Sequence, residues 1–205
     1  MHQESTDMQV INNMKTWAKE VTFEPSEIME KLVHQAVEYD LNPSARYILH
    51  LGISICELQQ VDLNHFWDQK QGPVVFFLNL YNLLSYYLFL RFGSPETDFI
   101  SQELTAKKAF LVGTNSFTLA SIQNQILFSL DQPSESRGNH CVGAPPMVLF
   151  LLREMNWKAP LIFYEDSNFQ QVMIDTVSAY MSSTIVCHEN TVRPPDPSFA
   201  PSHCV

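Results

Sequence analysis

The chain has little glycine, and it lacks the glycine-rich loops by which many proteins bind nucleotides. Only 6 of its 205 residues are glycine, and neither a GxGxxG nor a GxxxxGK[ST] pattern occurs. Basic residues are also scarce, since 12 Lys and Arg stand against 22 Asp and Glu and give a formal net charge of -10. Because such a charge repels a polyphosphate backbone, nucleic acid is not an expected partner.

Paired cysteines and an export signal are missing as well. The cysteines lie far apart with no CxxC motif, at Cys56, Cys141, Cys187 and Cys204. We therefore expect reduced thiols, with neither disulfides nor structural zinc, and we expect no cofactor. The first twenty residues lack the basic start and apolar run of an export signal, which predicts a cytoplasmic protein.

What the chain does have is enough apolar material for one folded domain. Hydrophobic residues make up 45% of it and charged residues 17%, a composition too apolar for disorder. A length of 205 residues is typical of a single domain. We expect an N-terminal extension over 1–20, one globular domain over 21–193, and a disordered proline-rich tail over 194–205.

The longest uncharged run extends from Pro73 to Leu90 and is almost long enough to cross a bilayer. However, Asn79, Asn82 and Ser85 share one helical face, and a single span in lipid could not satisfy them. The pattern favours a central buried helix of a water-soluble domain and leaves membrane association as an alternative. Inside a domain, the two amides must be either clamps onto neighbouring backbone or members of a site.

The rest of the chain predicts a mostly helical α+β fold with a small antiparallel sheet. An amphipathic helix is expected over 24–40 with Ser26 as its cap, followed by helical structure over 41–63, either unbroken or divided at Gly52. After the central helix come an extended run from Ala109 to Val112 and a turn at Gly113. Further helices are predicted from about 119 to 127, 147–155 and 167–181, and strands over 159–166 and 183–189.

One short motif points to a known family. The run Phe77-Leu78-Asn79-Leu80-Tyr81-Asn82, followed by "AFLVGTNSFTLASIQNQIL" and "NHCVGAPPM", resembles in order and spacing the domain of unknown function 547 family. The resemblance covers about Leu58 to Pro195. It implies a mixed helix-and-sheet domain without a settled activity, on a plan similar to that of papain and transglutaminase.

The resemblance also suggests where chemistry would lie. Thiol enzymes place a cysteine at the start of a buried helix and bring a histidine from a later strand. Here the helix start has no cysteine, Asn79 and Asn82 occupy the helix, and His140 would supply the imidazole. Cys141 is then the remaining candidate thiol, although neighbours on a strand point to opposite faces. These four are the candidate catalytic residues.

The sequence departs from the family pattern in ways that remove charge. Gln123, Asn124 and Phe128 stand where the family has acidic-His and Arg positions, and the loop after His140 is short. A degenerate member that serves as a non-catalytic interaction or scaffold module, with a protein partner, is therefore the first hypothesis. A cysteine- and histidine-dependent hydrolase or acyltransferase is the second, and a membrane-associated protein the third.

Overall fold

The part of the chain that the structure describes is mostly helical, with two small sheets. The structure, a computed structural model, describes residues 8–13, 24–40, 44–63, 66, 72–127, 144–153, 161–184, 186–188 and 191–193. The helices are α1 (Pro25–Asp40), α2 (Ala45–Ile55), α3 (Gly72–Phe92), α4 (Asp98–Lys107), α5 (Leu119–Ser121) and α6 (Phe169–Thr184). The strands are β1 (Gln9–Val10), β2 (Lys108–Val112), β3 (Asn115–Thr118), β4 (Val186–His188) and β5 (Thr191–Arg193). The predicted α+β class is confirmed.

Helix α3 is the centre of the core, as the uncharged run predicts. Every residue from Pro73 to Leu88 is buried. The helix is long and apolar enough to cross a membrane, yet 89% of its most apolar window is buried within the protein. It begins at Gly72, beside Pro73, and ends at Phe92. The next residue, Gly93, has a φ of 81°, and its N–H donates to the Phe89 carbonyl at 2.8 Å.

Helix α1 packs against α3 through one apolar stripe. The stripe consists of residues that are at most 1% exposed, namely Ile28, Met29, Leu32, Val33 and Ala36. The prediction that Ser26 caps this helix is wrong. The helix already begins at Pro25, because a proline in the first turn leaves no N–H unsatisfied, and Ser26 therefore lies inside that turn.

Helix α2 runs without a break through Gly52, so the suggested division there is wrong. It begins after Ser44, ends at Ile55 and tightens into a 3-10 turn over Cys56–Gln60. A Cβ at Gly52 would lie 2.6 Å from the Tyr87 hydroxyl oxygen of α3. The glycine therefore allows two helices to approach closely and does not end either of them.

The larger sheet is mixed, with the order β1-β2-β3. Strands β2 and β3 form the antiparallel hairpin that follows the predicted extended run, with Val112 opposite Asn115. Strand β1 pairs parallel to β2, with Gln9 opposite Lys108. Gln9 and Val10 of the predicted N-terminal extension thus join the sheet. The predicted tail over 194–205 lies outside the described residues.

Asn12 attaches this N-terminal segment to the domain. Its side-chain Nδ2 donates to the carbonyls of Leu111 at 2.9 Å and Ile55 at 3.3 Å, and its Oδ1 accepts from the Leu111 N–H at 2.7 Å. Asn12 is only 2% exposed. Its amide thereby extends the pairing of β1 with β2 as far as Leu111, using a side chain where a strand would use its backbone.

Three further elements differ from the sequence predictions. Helix α4 was not predicted. The helix expected over 147–155 is a 3-10 helix over Pro146–Leu151, and residues 161–165, the described interior of the strand expected over 159–166, form no strand. The predicted terminal strand is present as β4, which pairs antiparallel with β5.

Candidate functional site

The side chain of Asn79 binds the backbone of a segment that is distant in sequence. Its Nδ2 donates to the Tyr164 carbonyl at 2.8 Å, and its Oδ1 accepts from the Tyr164 N–H at 3.0 Å. Both groups are buried, and 85 positions separate them in sequence. One amide thus reproduces the paired N–H and C=O contacts that strands exchange in an antiparallel ladder, which is why residues 161–165 need no partner strand.

Asn82 makes the same kind of contact with the preceding segment. Its Nδ2 donates to the Leu151 carbonyl at 3.0 Å, and its Oδ1 accepts from the Arg153 N–H at 2.7 Å. One turn further along α3, the Ser85 hydroxyl donates to the Arg153 carbonyl at 3.0 Å. These bonds hold the backbone on either side of Leu152, which is extended, so the 3-10 helix ends at Leu151 and does not continue as the sequence predicts.

The Arg153 side chain also lies inside this part of the core. It is 5% exposed, and its guanidinium carbon lies 5.0 Å from the ring centre of Tyr86, which is itself 1% exposed. A cation over an aromatic face is electrostatically favourable, and more so when both are shielded from water. The side chain of Arg153 is therefore part of the same fixed assembly as its backbone.

A cavity of about 410 Å³ opens where α1 and α3 begin. One wall is formed by Glu24, which precedes α1, and by the first residues of α1 up to Glu30. The other walls are formed by Phe66, by the start of α3, and by the segment 163–166 that Asn79 holds in place. This is the region in which the family resemblance would place a nucleophile. The described walls contain no cysteine or histidine, and their hydroxyl groups belong to Ser26 and Tyr164.

The cavity has an apolar interior and acidic groups. The apolar walls are Met29, Phe66, Val75, Phe76 and Phe163, and the acidic side chains are Glu24, Glu30, Glu165 and Asp166. None of the described lining residues is Lys or Arg. Burial raises the pKa of the Asp166 carboxyl above its ordinary value. Within the described residues, no group of three or more His, Cys, Asp or Glu could hold a metal ion.

Tyr164 gives this site a measurable signature at high pH. Burial raises the pKa of Tyr164 from 10.0 to about 12. As the pH rises, the unfolded chain therefore loses this proton first, so stability present below pH 10 is lost progressively up to pH 12. We expect the wild type to lose about 2 to 3 kcal/mol of unfolding free energy relative to Tyr164→Phe over this interval. Urea denaturation of both proteins at pH 9 and at about pH 12 measures the difference, and equal losses would contradict the assignment.

The sequence-predicted site residues fall into two groups. Asn79 and Asn82 lie on α3, each bound to backbone, and Asn79 also reaches the cavity wall. His140 and Cys141 lie outside the described residues, so a catalytic role for them stays a prediction. Cys56 has a buried side chain whose Sγ donates to the Gly52 carbonyl at 3.3 Å, which places it in the core.

The acidic and aromatic residues of the cavity were not predicted from the sequence. Glu24 immediately precedes α1 and Glu30 lies on it, whereas Glu165 and Asp166 are more than a hundred positions away. Nothing local in the segment 163–166 marks it as part of a site. The one available signal is the pair Asn79 and Asn82, whose buried amides require distant backbone partners.

The family assignment rests on a match over more than half of the chain. The family described as "Protein of unknown function, DUF547" matches residues 66–181, from Phe66 through most of α6. The chain belongs to this family. The match includes the FLNLYN motif and both backbone segments that its asparagines hold. The DUF547 family has no characterised activity, so membership assigns no reaction.

Other comparisons add no relative. No curated protein and no solved structure matches the chain. The papain and transglutaminase plan that the resemblance implies therefore stays a prediction. The first part of the cavity, from Glu24 to Glu30, lies before the region that matches the DUF547 family.

Proposed function

We propose that this DUF547 protein is a non-catalytic binding module of the cytoplasm, which recognises its partner through the cavity at the start of α3. The observation that carries the proposal is that the two asparagines of the family motif bind backbone groups of the protein itself. The amides of Asn79 and Asn82 each hold a separate backbone segment through contacts of 2.7 to 3.0 Å. Side-chain amides held in this way position the backbone segments that they bind. Their oxygens already accept hydrogen bonds from backbone N–H groups, so the amides serve the fold and not a reaction.

The chemistry of the cavity supports binding over catalysis. A hydroxyl nucleophile needs a neighbouring base to remove its proton. The described walls offer Ser26 without a histidine, and a pKa of about 12 keeps the Tyr164 phenol neutral at physiological pH. A concave pocket of this size that combines apolar walls with polar groups is, however, typical of a ligand site.

The alternative enzyme would use His140 and Cys141, and its thiol can be tested directly. A catalytic cysteine is held as thiolate by its base, whereas an ordinary thiol has a pKa near 8.5. We expect alkylation of Cys141 by iodoacetamide to slow by about a hundredfold between pH 8.5 and pH 6, as for a free thiol. We also expect His140→Ala to leave the rate unchanged.

Mass spectrometry of tryptic peptides gives the alkylation rate of each cysteine separately, and Cys204 serves as the comparison within the same sample. Fast alkylation of Cys141 at pH 6 that disappears in His140→Ala would overturn the non-catalytic proposal. Equal rates for Cys141 and Cys204 at both pH values would support it.

A further inference from the structure

We propose that this cavity binds an ammonium group carried on an apolar stem, as in an alkylamine or the side chain of a lysine. The inference rests on the proposed binding function and names the chemical class of the ligand. It follows from three properties of the cavity: aromatic and aliphatic walls, an excess of negative charge, and a fixed geometry. We call it the acidic cavity below.

The walls of the acidic cavity suit an apolar stem next to a cation. The rings of Phe66 and Phe76 meet edge to face with centres 5.1 Å apart, and Phe163 contributes a third ring. Met29 and Val75 complete the apolar surface. Aromatic faces attract ammonium groups as well as hydrocarbon, which distinguishes them from purely aliphatic walls.

The charge of the acidic cavity decides between cation and anion. The starts of α1 and α3 each provide roughly +0.5 of an elementary charge from the helix dipole, together about +1. Against this stand the carboxyl groups of Glu24, Glu30, Glu165 and Asp166. Even if Asp166 is partly protonated, the carboxylates outweigh the two helix dipoles. A cationic ligand is therefore favoured over an anionic one.

The acidic cavity is held in shape before any ligand arrives. Asn79 fixes the backbone of Tyr164 to α3 through its two hydrogen bonds, so Phe163, Glu165 and Asp166 have a set position relative to Val75 and Phe76. A further bond, from the Ser167 hydroxyl to Glu165 Oε2 at 3.0 Å, orients one carboxylate. Such preorganisation reduces the entropy lost on binding.

Three probes of equal length test the proposal on the full chain: n-hexylamine, n-hexanol and hexanoate, titrated at pH 7 by isothermal calorimetry. We expect hexylamine to bind at least about tenfold more tightly than hexanol, and hexanoate not to bind. We expect Phe163→Leu, which keeps an apolar wall but removes the ring, to weaken hexylamine by about 2- to 30-fold, the range of a cation–π contact.

Charge variants provide the matched control. Glu30→Gln and Asp166→Asn are each expected to weaken hexylamine several-fold, whereas Glu38→Gln, on the exposed face of the same helix α1 as Glu30, leaves the affinity unchanged. N-acetyl-lysine N-methylamide distinguishes the two sources of the group. If it binds like hexylamine, the ligand class includes lysine side chains of a protein partner, and if only hexylamine binds, the class is free amines.

The proposal is overturned if hexylamine shows no binding up to about 10 mM. It also fails if hexanol or hexanoate binds as well as hexylamine, or if Glu30→Gln behaves like Glu38→Gln. These outcomes are separate from the test of the non-catalytic function. A reactive Cys141 would overturn the proposed non-catalytic function whether or not the amine binds. If Cys141 is unreactive, the titrations alone decide whether the cavity binds amines.

Discussion

Replacing Asn82 by aspartate is expected to lower the free energy of unfolding by about 3 to 5 kcal/mol at pH 8. The change keeps the oxygen that accepts from the Arg153 N–H but removes the N–H that donates to the Leu151 carbonyl. It also places a carboxylate at a position only 3% exposed, opposite an unpaired carbonyl. A carboxyl group that protonates in this environment could donate to the carbonyl again. The loss should therefore shrink as the pH falls toward 4, because the folded state would bind the proton more tightly than the unfolded state does.

Urea denaturation at pH 8 and pH 4 measures both effects, provided that the slope against urea is unchanged. Asn124→Asp is the control, since Asn124 is exposed and the same substitution there should change the stability by no more than about 0.5 kcal/mol. A loss at Asn82 no larger than that at Asn124 would mean that the backbone contact of Asn82 contributes nothing.

Replacing Gly113 by alanine is the second change with a large expected effect, a loss of about 2 to 5 kcal/mol. Gly113 has a φ of 57° in the turn between β2 and β3, a conformation that alanine adopts only at a cost. A Cβ there would also lie 2.5 Å from the Val61 carbonyl oxygen. This neighbour is backbone and cannot rotate away, and the Gly113 N–H donates to the Leu58 carbonyl beside it at 2.8 Å.

Gly93→Ala separates the two contributions. Gly93 has a φ of 81°, but a Cβ there would meet no atom within 4 Å, so only the backbone strain of about 1 to 2 kcal/mol applies. The excess loss at Gly113 over Gly93 then measures the steric contact with Val61. Equal melting temperatures for the two variants would show that the turn moves away from Val61 without cost.

The central helix could be predicted because its signal is local. A run without charge, with Pro73 near its start and Gly93 after its end, specifies a helix apolar on nearly all sides, and such a helix must be covered by others. The amphipathic stripe of α1 is equally local. Its start was misplaced by two residues, because a Ser26 cap would make Glu27 the first helical residue, whereas the helix begins at Pro25.

The segments that α3 holds could not be predicted, because their structure depends on distant side chains. Residues 159–166 have the composition of a strand, but a strand needs a neighbour, and the backbone of Tyr164 pairs instead with the amide of Asn79. Similarly, the helix that begins near Pro146 ends early because Asn82 and Ser85 bind the backbone of residues 151–153. The sequence reveals the buried amides but not which backbone they bind.

The cavity could not be predicted from the sequence either, because it too depends on contacts between distant segments. Its acidic residues belong to two segments that are brought together only when α1 and the 163–166 segment both pack on α3. In the sequence, each of these carboxylates on its own indicates no more than an ordinary surface charge. Their significance depends on the aromatic side chains between them, and the hydrophobic pattern assigns those to the core.

The parallel pairing of β1 with β2 has a consequence for synthesis. The two strands are joined by contacts between residues 99 positions apart, including both bonds of Asn12 with Leu111. At about 5 to 20 residues per second, a ribosome needs on the order of 5 to 20 seconds to make the intervening chain. Residues 8–13 therefore leave the ribosome with no partner strand available, and nascent-chain binding factors have that interval in which to contact them.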